Sequence, residues 1–531
     1  VPAHTLEGSQ RFFDRLFGAS TASDAAPRLD RFVLTAAAAA AVVAALLNVL
    51  SYQRHPHVPD EVVYLYPARY FAAGMLTMPL PPVPAAFDLD LMVYEPTKWY
   101  SPVPPGWPVV LALGVLAGAP WLVNPILTGI NIVLAYLFLG HLYPPRVAKT
   151  ATALLAASPW FLFLGMSFMT QTVTLTAALT AAIGVIYARR KASFTRGAIA
   201  GAGVGAVSAL RPLDGVIVGA LIACWAIGVG GRRLGWRALA GLFVGTVGLG
   251  SLVLPYNRML TGDPLKFPIN AYNDRYYGPN ANAYGFGPDR GMGWAIDPNP
   301  GHGPVDGLIN ANLNLFGINT DLFGWSTGSF VFIAWLVAAW AWTQADRLMA
   351  AVFVLFFVAY FFYYFSGGPD FGARYWFPTI VPLAALCARG IAELDRVSRG
   401  RATLAAAMMT AAALVLFLPW RATDKYYQFR GMRADIRQLA ATHGFDGDLV
   451  LVRGPREPDY MSAAVYNPLD LLGRETIYAW DRSAEVRKKT LEVYADRRVW
   501  VVDGPTITGA GYRLVLGPLP AAAVLAAGGP R

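Results

Sequence analysis

Between residues 32 and 419 the chain is a succession of apolar stretches of similar length. They fall at 32–50, 107–142, 150–165, 171–188, 197–210, 213–229, 236–254, 328–343, 347–365, 375–391 and 402–419. Each approaches or exceeds the roughly 20 residues a helix needs to cross hydrocarbon. Lipid cannot satisfy an open sheet edge, so the stretches are expected to be helical. Only 14% of the 531 residues are charged and 55% are hydrophobic, which excludes a soluble multidomain protein. The formal net charge of +10 then reads as positive-inside topology and contact with membrane lipids. No zinc-finger spacing and no solvated basic domain accompanies it, so nucleic acid is not an expected partner. Cys224 and Cys387 both lie in apolar stretches, which leaves no disulfide framework.

Residues 1–31 include Arg11, Arg15, Arg28 and Arg31 but lack the apolar core and cleavage site of a signal peptide. They are expected to form a cytoplasmic segment before a retained first span. The stretch 107–142 could be two crossings broken at Asn124-Pro125, or one crossing with a half-buried piece. Arginine and lysine decide between these. With one net crossing, Arg146/Lys149, Arg189-Arg190-Lys191, Arg232-Arg233, Arg347 and Arg396/Arg399/Arg401 all fall on the N-terminal side. With two, all of them move outside. One net crossing gives about eleven spans. It leaves on the outer side 51–106, 166–170, Arg211-Pro212, 255–327, 366–374 and everything after 420.

The expected architecture is an α-helical polytopic membrane protein with three parts. These are the segment 1–31, a transmembrane module 32–419 with outer loops 51–106 and 255–327, and a small extracytoplasmic α/β domain at 420–531. The last part carries charges throughout and short apolar runs, Leu449-Val-Leu-Val452, Val499-Trp-Val-Val502 and Leu514-Val-Leu516. No catalytic motif is visible in it, so its expected role is to cap the site or dock an acceptor. Gly197, Gly201 and Gly205 recur every four residues. No strand precedes them, so they predict close helix packing, not a dinucleotide site.

The unusual polar residues gather on the outer side. Asp60 and Glu61 follow the first span, where an acidic pair is costly unless solvated or useful. Asp60 is the candidate base at the membrane surface; taken alone, the pair also reads as a hydrated turn. Glu95 and Lys98 lie further along the same loop, which thus supplies both an acid and a cation for a departing phosphate. Lys98 equally reads as an interfacial residue beside Trp99 and Tyr100. Arg211, Arg258 and Arg374 stand at outer helix ends against the positive-inside bias. That placement suggests a phosphate held by planar forks, although each could be an ordinary salt bridge. Tyr272, Tyr276 and His302, in the 255–327 loop, are candidates to contact a sugar or acceptor, or simply to hold their loop. His55, His57 and His302 do not have spacing that demands a metal. No metal and no cofactor is assigned.

These residues resemble the GT-C superfamily of integral-membrane glycosyltransferases, in particular the protein O-mannosyltransferase and aminoarabinose transferase group. The resemblance rests on Asp60-Glu61 with Tyr64 and Arg69 downstream, and on Glu95 and Lys98 before Pro104-Pro-Gly106. It rests also on Tyr256-Asn257 with Thr261-Gly-Asp-Pro264, and on Arg374-Tyr375 with Pro378. It covers about residues 32–420 and implies a polyprenyl-phosphate sugar donor, attack by an acceptor hydroxyl, and inversion. It implies Asp60 as base, with Glu61 and Glu95 beside it in the catalytic group and Lys98, Arg211, Arg258 or Arg374 on the donor phosphate. Tyr64 and Arg69 would then line the sugar or acceptor side. The acceptor would be a glycan, lipid or protein, and the location a bacterial inner membrane with the site facing the periplasm. One departure stands out: Gly165-Met-Ser-Phe-Met-Thr-Gln171 has no carboxylate where many relatives carry one. A transporter or flippase of lipid-linked saccharides, or a polymerase, remains the alternative class. The first predicts inverted repeats and mid-membrane charges, whereas the polar residues here gather at one face.

Overall fold

The structure, a computed structural model, describes residues 27–294, 301–368 and 370–526. Most of the expected segment 1–31 lies outside the described residues. Among the described residues seven helices are long and apolar enough to cross a membrane, or eight if the bent pair Pro145–Ala156 and Pro159–Met166 is one span. This is the build of an integral membrane protein. It falls short of the expected count because Phe194–Leu210, Pro212–Ala226 and Val331–Ala338 are shorter than a full crossing. Large apolar side chains such as Leu46, Phe243, Val247, Val354 and Val415 face outward from the spans, as lipid contact requires. Proline sets many helix starts: Pro59, Pro145, Pro159, Pro212 and Pro304 all stand in a first turn. There the missing N–H costs nothing and φ is already helical.

The ambiguous stretch 107–142 forms Gly106–Leu116, a tight turn at Pro120–Leu122, and Val123–Gly140. The first helix has 11 residues, a rise of about 17 Å, roughly half the hydrocarbon thickness. It is too short to cross on its own, whereas Pro120–Gly140 is long and apolar enough to be one span. Gly114 permits the turn, because a Cβ there would run into Val123 and Pro120. The Gly197, Gly201 and Gly205 face packs on the helix Trp236–Gly250, with Ala238 and Leu242 carbonyls where side chains would stand. That is close small-residue packing.

The 255–327 region, expected as an aromatic loop, holds three helices: Val253–Thr261, Pro268–Tyr276 and Pro304–Asp321. The third turns Val305, Leu308, Ile309 and Phe316 outward and buries Asn310 and Asn314. Its asparagines suggested a loop; its apolar spacing of three and four marks a helix with one face toward an apolar medium.

After residue 420 the chain builds a four-stranded sheet. Leu449–Arg453 lies between Ile477–Trp480 and Arg498–Asp503, both parallel to it, and Arg513–Pro520 adds an antiparallel edge. Helices Glu457–Ala464 and Ala484–Val493 make the crossovers that parallel neighbours need. The loop after the first span is stapled to this unit. Tyr66 donates to the Ala464 carbonyl at 2.6 Å, and Arg69 to those of Val465 and Asn467 at 2.9 and 2.5 Å. His55 Nδ1 bonds the Tyr466 hydroxyl at 2.8 Å, and His57 Nδ1 the Tyr426 carbonyl at 3.1 Å. Arg69, expected on the acceptor side, is therefore a fastener, and burial holds the His57 imidazole down at about 3.

Glu61 also departs from expectation. It is fully buried. One carboxylate oxygen accepts from the N–H groups of His57 and Val58 at 2.7 and 3.2 Å; the other accepts from Phe168 at 2.9 Å. It is the reciprocal half of a helix cap and ties the loop after the first span to the 166–170 turn. It has no open face for catalysis. Burial pushes its carboxyl up to about 8, against the pull of those three N–H groups.

Two outcomes test this packing. Gly201→Leu should cost about 3 kcal/mol or prevent folding, while Gly248→Ala, with nothing within 4 Å of its Cβ, should stay within about 0.5 kcal/mol; thermal unfolding in detergent separates them. The raised Glu61 pKa means that the folded state holds the proton more tightly than the unfolded one. Its contribution is complete below about 4.5 and lost as pH rises through about 8. The unfolding temperature of the wild type should fall across that window more steeply than that of Glu61→Gln.

Candidate active site

Asp60 is the second residue of the helix Pro59–Ala72, where a carboxylate is favoured by the helix dipole. Its side chain is 29% exposed, and Oδ2 accepts from Arg374 Nη1 at 2.9 Å. Arg374 opens the short 3-10 turn Arg374–Thr379 and is 4% exposed. Ahead of it Gly367 and Gly372, at φ 102° and 60°, bend the chain through a region that glycine enters without strain. Arg374 Nη1 also lies 3.7 Å from Asp370 Oδ2, and Asp370 Oδ1 accepts from Arg430 Nε at 2.7 Å. Charges thus alternate from Asp60 through Arg374 and Asp370 to Arg430. The Arg374 Nε–H and the Trp376 indole N–H are buried without a protein partner.

Arg211 joins two helices at a sharp corner. It precedes Pro212, so its backbone is extended, at φ −145° and ψ 95°. Its Nε donates to Asp214 Oδ2 at 2.6 Å. Its guanidinium lies 4.5 Å from the centroid of the Tyr375 ring; that of Arg374 lies 5.6 Å from the same ring. Two cations thus share one aromatic neighbour. The Tyr360 hydroxyl donates to Asp214, and its ring stacks on Tyr375 at 5.6 Å. Half-buried Tyr64 reports the convergence: burial and then Asp60 push its phenol up, while Arg211 and Arg374 pull it down.

The Asp60 charge is felt by a further set of carboxylates. Burial raises the Asp90 carboxyl, and the Asp60 and Asp88 charges add to the rise. Glu457, in the first turn of Glu457–Ala464, is pushed up to about 7 by burial first and then by Asp90 and Asp88. The C-terminal unit therefore brings an exposed acid within range of the Asp90 and Asp88 charges. Neither Glu457 nor Arg430 was marked in the sequence. Each gains its neighbours only when that unit docks, and an acid at a helix start reads as a cap.

Other expected residues go elsewhere. Lys98 Nζ lies 3.3 Å from Glu95 Oε2 and 3.3 Å from the Met259 carbonyl. Glu95 Oε1 accepts from Tyr100 at 2.9 Å. Lys98 opens the last strand of the three-stranded sheet of Met78–Pro79, Val93–Tyr94 and Lys98–Tyr100, and Glu95 lies in the turn before it; none of their described contacts is to Asp60, Arg211 or Arg374. Lys98, expected on the phosphate, and Glu95, expected in the catalytic group, are each the other's ion-pair partner. Arg258 is exposed on Val253–Thr261 and makes no ion pair among the described residues. His302 is buried and bonds the Phe361 carbonyl at 3.2 Å, which holds its own loop. Tyr272 is buried and donates to Asp90 Oδ1 at 3.3 Å. Tyr276 packs on it at 4.5 Å and is 47% exposed, free to meet a ring. Among the described residues no three His, Cys, Asp or Glu side chains converge as metal ligands. The cluster can accept a proton at Asp60 and hold an anion beside Arg374 and Arg211.

No family model and no curated protein matches the chain. Solved structures do. ArnT from Cupriavidus metallidurans bound to undecaprenyl phosphate is 17% identical with a TM-score of 0.45, over 72% of this chain and 64% of that one. AglB from Archaeoglobus fulgidus, an oligosaccharyltransferase in complex with an inhibitory peptide and a dolichol-phosphate, is 10% identical with a TM-score of 0.43, over 89% and 69%. The arabinofuranosyltransferase AftD from Mycobacteria is 15% identical with a TM-score of 0.44, over 91% and 36%. The chain thus spans less than two thirds of the length of ArnT, and a likeness of this degree assigns no residue a role. These structural neighbours are GT-C glycosyltransferases.

Proposed function

We propose that the protein transfers a sugar from a polyprenyl-phosphate donor to an acceptor hydroxyl at the outer face of a bacterial inner membrane, with inversion. Asp60 takes the hydroxyl proton as the acceptor oxygen bonds the anomeric carbon. The bond from that carbon to the phosphate oxygen breaks, and the lipid phosphate leaves with one more negative charge. Arg374 and Arg211 hold that charge. Asp90, Glu457 and Tyr276 stand on the acceptor side. The observation that carries this reading is Arg374. It is buried, paired to Asp60, and retains an N–H without a partner. A buried donor left open in this way suits an anion that is not part of the protein.

The transporter alternative needs charge at a broken helix in mid-membrane. The bent pair Pro145–Ala156 and Pro159–Met166 breaks at Ala157-Ser158, where Ser158 caps the second helix through Phe161 N–H. That break carries no ionisable group.

Transfer from synthetic polyprenyl-phosphate sugars by purified protein tests the proposal. Asp60→Asn should slow transfer by about 10³-fold while a non-transferable donor analogue still binds, since Arg374 keeps Asp370 as a partner. Arg374→Gln should weaken analogue binding and slow transfer by about 100-fold. Lys98→Ala should leave analogue affinity within about twofold, because a half-exposed surface pair contributes little. Full activity in Asp60→Asn would remove the base.

A further inference from the structure

A polar cavity of about 520 Å³ lies where the first span meets the C-terminal unit. Its wall carries Arg54, Arg433 and Arg437, and among the described residues Asp435 is the one acid in it. The backbone around it is strained. Gln53, Arg54 and Gln428 sit at φ 54°, 56° and 53°, and all three line the cavity. Such residues rarely adopt the left-handed region, and strain of this kind gathers at binding sites. Here it is held by the arginines themselves. Arg437 donates to the Gln53 carbonyl at 2.6 Å, and Arg433 to Gln428 Oε1 at 2.7 Å. Arg54 makes no ion pair among the described residues; its guanidinium rests 4.8 Å from the Trp121 ring centroid.

The cavity wall also reaches the first span. Val49, in the last turn of the span Arg31–Leu50, forms part of the wall. Val42, Leu46 and Leu50 repeat every four residues along that span and are 56%, 51% and 70% exposed, so they form one stripe. Cations stand above and an apolar stripe runs beneath. Guanidinium forks match phosphate oxygens, and a cavity of this volume admits more than a bare ion. We propose that this cavity binds the anionic phosphodiester headgroup of a membrane lipid, whose tail lies along Val42, Leu46 and Leu50. The site shares no wall residue with the Asp60 cluster, and it does not depend on the transfer reaction. The two are nonetheless linked: Gln428 lines the cavity, and Arg430, two residues on, holds Asp370.

Native mass spectrometry of the full chain in detergent, titrated with phosphatidylglycerol, phosphatidylcholine or glycerol 3-phosphate, tests the assignment. Phosphatidylglycerol should bind in preference to phosphatidylcholine. Arg54→Gln should weaken it about tenfold and the double variant Arg54→Gln/Arg437→Gln further, at about one decade per charge-assisted contact. Arg482→Gln, which alters a surface pair with Asp88, should change nothing. Arg54 has no ion pair to lose, so its variant keeps the test open if the double variant does not fold. Equal retention of the two lipids, or an Arg54→Gln protein that binds like wild type, overturns the site. Glycerol 3-phosphate binding as tightly as phosphatidylglycerol overturns the lipid in favour of a soluble phosphate ester.

Discussion

A guanidinium that is 4% exposed in a helical bundle must be met by anions, because removing its water costs several kcal/mol. Arg374 is met by Asp60 from the loop after the first span and by Asp370 from its own loop. Much else on this rim follows from bringing those groups together. The helix that carries Asp60 begins at Pro59, so its start is fixed in sequence. Glycines bend the segment before Arg374. Asp370, with one oxygen toward Arg374, gives the other to Arg430, and so the C-terminal unit is tied electrostatically to Asp60. Arg374 keeps one carboxylate when either Asp60 or Asp370 is lost, whereas loss of both would leave it buried without a partner, which is the costly way to break an ion pair.

Asp60 and Glu61 are neighbours with opposite fates. Successive residues on a helix diverge by about 100°. Asp60 therefore reaches the rim and Arg374, while Glu61 turns inward to three backbone N–H groups. The inner carboxylate fixes the helix start and the 166–170 turn, which lacks an acid of its own. The outer one stays at the rim, paired to Arg374. Position within the first turn, not residue type, separates the structural acid from the one proposed as base.

Much of this was legible in the sequence where a local rule was broken. Asp60, Arg211 and Arg374 stood out because charge at an outer helix end is expensive and runs against the positive-inside bias, and the fold does bring them to one cluster. The glycine spacing at 197, 201 and 205 was legible for the same reason, since only packing explains it. What failed was partner choice. Lys98 and Glu95 looked like separate actors, but they sit three residues apart and pair with each other. Arg69 looked functional, and His55 and His57 were given no role; their partners lie about 400 residues away, in a unit whose docking no local pattern announces. The helix Pro304–Asp321 was hidden by its asparagines, although Val305, Leu308, Ile309 and Phe316 carried its period.

The most direct test is a structure of the protein with a non-transferable polyprenyl-phosphate sugar bound. The account places the phosphate against Arg374 and Arg211 beside Tyr375, with the anomeric carbon facing Asp60. A phosphate held instead at Lys98 and Glu95, with the Arg374–Asp60 pair undisturbed and remote from the sugar, would contradict it.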